Sequence, residues 1–69
     1  MITVAEVKRG IKRLKELSGD DERAHSLEDS LRFQVLLAIA SGSDQAQLLA
    51  KEVLKTMDVD FSRWTIERI

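Results

Sequence analysis

Cysteine is absent from the 69 residues, so neither disulfides nor thiolate zinc sites can staple the fold. Histidine occurs once, at His25, which rules out zinc binding of the usual Cys/His kind within one chain. Proline is absent too, so no position carries a fixed φ or lacks a backbone donor. Long apolar runs are missing: the longest, Val35 to Ala40, is far short of the roughly 20 residues that cross a bilayer. The N-terminus has no apolar stretch of signal-peptide length. The cytoplasm is therefore the expected compartment, and no membrane partner is expected.

What remains is a short, charged chain. A core of this size rarely supplies more than about 3–5 kcal/mol of net stability without staples or a partner. Close helix packing or self-association must do that work, and a homodimer is expected. The formal net charge is −1, but the charges are sorted along the chain. Residues 1–19 carry five cations and two anions, residues 20–30 one cation and five anions, and residues 31–69 five of each.

Apolar spacing is helical almost throughout. Thr3 and Glu6 read as a capping box, each side chain answering a backbone N–H left open at a helix start. Val4, Val7, Ile11, Leu14 and Leu17 then fall three and four apart, with Lys8, Arg9, Lys12, Arg13 and Lys15 on the other side. Gly10 lies beside the apolar arc, where a missing side chain lets a second helix come close. Ser18-Gly19 is expected to stop this helix, with glycine in the left-handed conformation.

A second helix is expected from about Asp20, and its halves differ. Ala24, Leu27 and Leu31 form a narrow stripe in the first half, whereas Phe33 to Ala40 is apolar almost all round. A helix apolar on every side is enclosed by other helices or by a second subunit. Gly42 ends it. Asp44 and Gln47 open a third helix with Ala46, Leu49, Ala50, Val53, Leu54 and Met57 as its stripe. The expected fold is all-α, a three-helix bundle over about 4–18, 20–41 and 44–57, forming one domain. A short C-terminal turn or helix after Asp60 would place Phe61 and Trp64 on one side.

Four features invite a functional reading. Glu22, His25 and Asp29 fall within about 60° of one another on a helix, a candidate metal or acid–base set. Ferritin-like sites, however, add carboxylates from facing helices, and here the facing helix is cationic. Acids at a helix start are also favoured by its exposed N–H groups and dipole. That simpler account is preferred, so no cofactor and no catalytic residue is expected.

The second feature is the basic set Lys8, Arg9, Lys12, Arg13 and Lys15, which could follow a phosphate backbone. The hairpin at Gly19 is expected to bring Lys12, Arg13 and Lys15 against Asp20, Asp21 and Glu22, within a Debye length of about 8 Å. Mutual neutralisation then blunts the field offered to nucleic acid. Third, Phe33, Leu36, Ala40, Phe61 and Trp64 are candidate interface residues. For Phe61 and Trp64, closure of the core is the competing and preferred account. Fourth, a helix-turn-helix across Gly42 finds only weak support, because its second helix offers few basic groups outside a largely apolar strip.

The segments "DDERAHSLEDSLRFQVLLAIASG" and "LAKEVLKTMDVDFSRW" resemble a family of short uncharacterised bacterial and phage proteins. Its pattern reads D-D-E-x-A-H-S-x-E-D-x-L, then A-I-A-x-G, then L-K-T-x-x-x-D-F-x-R-W, matched here from Asp20 to Trp64. The resemblance implies a compact cytoplasmic helical unit whose two signatures pack together. It carries no activity onto His25 or Trp64. An antiparallel return through the third helix would then bring Arg63 to Glu28 or Asp29, with Trp64 covering the hairpin. The expected function is that of a small non-catalytic interaction or regulatory module with an unidentified protein partner. The alternative is a nucleic-acid accessory protein, and a carboxylate–histidine metal site stands third.

Overall fold

A computed structural model describes residues 1–17 and 19–61 of the chain. Its regular elements are α1 (Val4–Glu16), α2 (Asp21–Ala40), α3 (Ala46–Leu54) and a 3₁₀ turn (Lys55–Asp58). The described fold is all-helical, and the helices pack against one another in all three pairings. No helix among the described residues is long and apolar enough to cross a membrane.

The capping box at the start of α1 is present. Thr3 N–H donates to Glu6 Oε1 at 2.9 Å, and Glu6 N–H donates to Thr3 Oγ1 at 3.2 Å. Val7, Ile11 and Leu14 are buried on the inner face of α1, with Val4 and Leu17 packed at its ends. Gly10 meets α2 directly: a Cβ at that position would lie 2.9 Å from Leu31 Cδ1 and closer still to Cδ2. The missing side chain sets how near α1 and α2 approach.

The left-handed glycine that the structure describes is Gly42, at φ 88°. The first hairpin closes through Asp20 N–H to Leu17 O at 2.8 Å. Asp20 then caps α2 by accepting from Arg23 N–H at 3.2 Å. At the far end, Gly42 N–H reaches Ile39 O and Ser43 N–H reaches Ala38 O, both at 3.0 Å. This is the paired closure that a left-handed residue after a helix makes possible.

α3 is shorter than the expected 44–57. Ser43 Oγ accepts from Gln45 N–H at 3.2 Å, and the helix begins at Ala46 with no side-chain cap from Gln45. At its other end the backbone tightens into the 3₁₀ turn, where Thr56 is buried. Val59 and Phe61 follow in non-helical chain; both are buried, with Asp60 exposed between them. Phe61 therefore belongs to the core of this chain. The expected turn after Asp60, the Arg63 pairing and the position of Trp64 fall outside the described residues.

Candidate functional site

On α2 the core stripe runs through Ala24, Glu28, Leu31, Val35 and Ala38. The sequence places Glu28 beside the polar sector, but its side chain is fully buried. Its Oε2 lies 3.3 Å from Arg32 Nη2, one turn along. The same Nη2 donates to Thr56 Oγ1 at 3.2 Å and to Met57 Sδ at 2.9 Å. Thr56 is also fully buried. One guanidinium thus ties α2 to the 3₁₀ turn, and it offsets the cost of burying a carboxylate.

The acid–histidine cluster is regrouped. His25, Glu28 and Asp29 can each offer a ligand atom within 4.8 Å of the others, and Glu22 is not in that group. Glu22 instead lines a groove between α1 and α2 with Arg13, Leu17, Arg23, Ser26 and Leu27. His25 is partly buried, its side chain 28% exposed, with Nδ1 3.7 Å from Asp29 Oδ1. That buried Nδ1 has no hydrogen-bond partner among the described residues. Arg32, against Glu28, places a fixed positive charge beside any cation held there. The geometry favours an internal ion pair over a metal centre.

Four of the five cations of α1 separate into two sets. Arg13 pairs with Glu16 on its own helix at 3.5 Å and shares the groove with Glu22. Lys8, Lys12 and Lys15 lie one turn apart, and they line a groove of about 480 Å³ with Ile11, Glu52, Lys55 and Asp58. Lys55 is held by Glu52 at 3.1 Å. Lys12 and Lys15 thus line a groove towards α3 and the 3₁₀ turn, where Glu52 and Asp58 are the acids beside them. Lys55 is not among the sequence candidates, because nothing local to it signals a neighbour on α1.

The apolar half of α2 is only partly covered. Val35 and Ala38 are buried, whereas Phe33, Leu36 and Leu37 are 64%, 64% and 53% exposed. Ala40 is exposed at the same end of the helix. Beside them runs a groove of about 260 Å³ between α2 and α3, lined by Arg32, Val35, Leu36, Ile39, Ala50, Val53 and Leu54. Leu54, which lines the groove, is 64% exposed, and Met57, three residues on, is 59% exposed. Leu36 belongs to both features, so groove and strip form one continuous apolar surface. Comparisons with known protein families, curated proteins and solved structures find no match for this chain.

Proposed function

We propose that this protein is a small, non-catalytic interaction module that associates with itself through the outer face of α2. The observation that carries the reading is Phe33. It sits among Leu36, Leu37 and Ala40, facing away from the core of its own chain. Scattered apolar residues are ordinary on a surface, but a contiguous strip beside an apolar groove marks a contact site. Light scattering across a dilution series tests it. The expected mass is that of two chains at high concentration, falling on dilution, and Leu36→Glu should give a monomer with unchanged helical content. A monomer at every concentration rejects self-association.

A second reading is favoured by the lysine-lined face. Lys8, Lys12 and Lys15 span about 10 Å along α1 and share one groove with Lys55, so that four lysines stand against the carboxylates of Glu52 and Asp58. Together with Lys55 they suit a phosphate backbone. Fluorescence anisotropy with a labelled DNA duplex at low salt is the test. Neutralising Lys8, Lys12 and Lys15 should reduce the salt slope by about 0.9 for each phosphate that the variant leaves unneutralised. No binding at low salt ends this reading.

A further inference from the structure

We infer that the second copy lies antiparallel along α2, with Phe33 of each chain seated against Ala40 of the partner subunit. The inference rests on the self-association reading and adds a direction and a register to it.

Phe33, Leu36, Leu37 and Ala40 follow the spacing i, i+3, i+4, i+7 and occupy an arc of about 100° on the helix. They lie opposite the buried stripe of Ala24, Leu31 and Val35. The strip is symmetric about the midpoint between Leu36 and Leu37. Running a second copy in the opposite direction about that midpoint places Leu36 against the partner's Leu37. It also places Phe33 against the partner's Ala40. A large side chain then meets a small one at both ends of the contact, which is how facing layers interdigitate without voids. Parallel pairing would set Phe33 against Phe33 of the partner subunit and leave a gap between the two alanines.

Charge selects the same direction. Going back from Phe33 by 4, 7 and 11 residues, the strip continues as Asp29, Ser26 and Glu22, all exposed. A parallel pair would lay these carboxylates beside their own copies along one seam, and like charges at such distances repel. The antiparallel pair sends them to opposite ends. Glu22 lies 14.5 residues from the midpoint, or about 22 Å at 1.5 Å per residue, so the two copies stand roughly 40 Å apart or more. No second acid–histidine set is then brought up to His25. The helix dipoles also oppose one another, which favours this arrangement.

The size of the strip sets the expected strength. Phe33, Leu36 and Leu37 expose on the order of 300 Å² per copy, so the strip alone buries about 600 Å² in a pair, below the roughly 1,200 Å² of a standard specific contact. The dimer is accordingly weak, and the dilution series must extend through the micromolar range.

The test is a size swap read by sedimentation equilibrium, with circular dichroism confirming each variant is folded. Phe33→Ala and Ala40→Phe should each raise the dissociation constant at least tenfold. The double variant F33A/A40F restores a large–small match only in the antiparallel register, and should return to within about threefold of the wild-type chain. A dimer that survives both single changes, or a double variant no better than the singles, overturns the register while leaving self-association standing. Wild-type chain that stays monomeric overturns both. The cysteine-free sequence permits a second measurement on Glu22→Cys carrying a nitroxide. Dipolar spectroscopy should give a separation of about 40 Å or more, whereas a parallel pair would give about 10 Å, the usual spacing of packed helices.

Discussion

α1 and α2 solve the partition of polar and apolar groups in opposite ways. On α1 the buried residues are Val7, Ile11 and Leu14, and the charges face outward. α2 buries a glutamate within its inner stripe and presents a phenylalanine and two leucines outward. A helix that serves only its own core sorts like α1. Inversion on α2 means that the inner face must meet a polar requirement and the outer face an apolar one. The inner requirement is visible in Arg32 and Thr56; the outer one is what self-association would meet.

The inner half of that contrast predicts the largest effects. Leu14→Ala removes a fully buried side chain and should cost about 2–5 kcal/mol in urea unfolding. Glu28→Ala should cost about 3 kcal/mol, because it leaves a cavity and strips Arg32 of its carboxylate; exposure of the arginine keeps the figure at the lower end for a broken buried pair. Either change rivals the whole net stability expected of so small a core. Glu28→Met restores most of the volume but not the charge. If the ion pair matters mainly for packing, the methionine variant will be clearly more stable than the alanine one.

Where the two helices touch, the sign is diagnostic. Gly10→Ala gains about 1 kcal/mol of helix propensity but drives a methyl group into Leu31, and overpacking costs about 1–3 kcal/mol. A net destabilisation of about 1 kcal/mol is expected from these two opposing effects. A gain would mean that Leu31 moves aside freely and that α1 and α2 are not locked together at this point.

The outer half predicts almost no change in the isolated chain. Under conditions where the chain is monomeric, Phe33→Ser should change stability by no more than about 0.5 kcal/mol. At higher concentration the wild-type chain should gain thermal stability through association, and the variant should not. A large destabilisation at low concentration would show that Phe33 supports its own fold and would remove the contrast between the helices.

Much of this is legible in the sequence because it is local. The Thr3–Glu6 box and the glycine stop at position 42 depend on neighbours within a turn, as does the 3–4 spacing of Val7, Ile11 and Leu14. The burial of Glu28 is written in spacing alone: positions 24, 28, 31, 35 and 38 alternate four and three apart, so the glutamate falls on the core stripe. Its setting among other acids points instead to a solvated helix start. Position outweighs residue type here, and Arg32 at i+4 is the available sign of a partner. Thr56 as a further acceptor for Arg32, 24 residues away, and Lys55 beside the lysines of α1 depend on how α3 packs. No local pattern specifies that. The all-apolar run of α2 implies enclosure on every side, but the described residues supply cover for only the inner face.

The smallest expected effect belongs to the orderly helix and comes from Glu6. Its carboxyl is held below the ordinary carboxylate range, first by the Thr3 backbone N–H and then by the Thr3 hydroxyl, both of which favour the ionised form. Unfolding removes these bonds, so the depressed value belongs to the folded state alone. The stabilisation is therefore fully present above the ordinary carboxylate range and is lost as pH falls through the lowered folded value. Thermal melts of the wild-type chain and Glu6→Gln should differ slightly at neutral pH and converge in acid, because the amide can accept the same bonds but carries no charge. A difference that persists unchanged into acid would assign the effect to side-chain shape instead of charge. Either result concerns an interaction made within one turn of α1, whereas the polar group buried by α2 needs the 3₁₀ turn beyond α3 to complete its hydrogen-bonded setting.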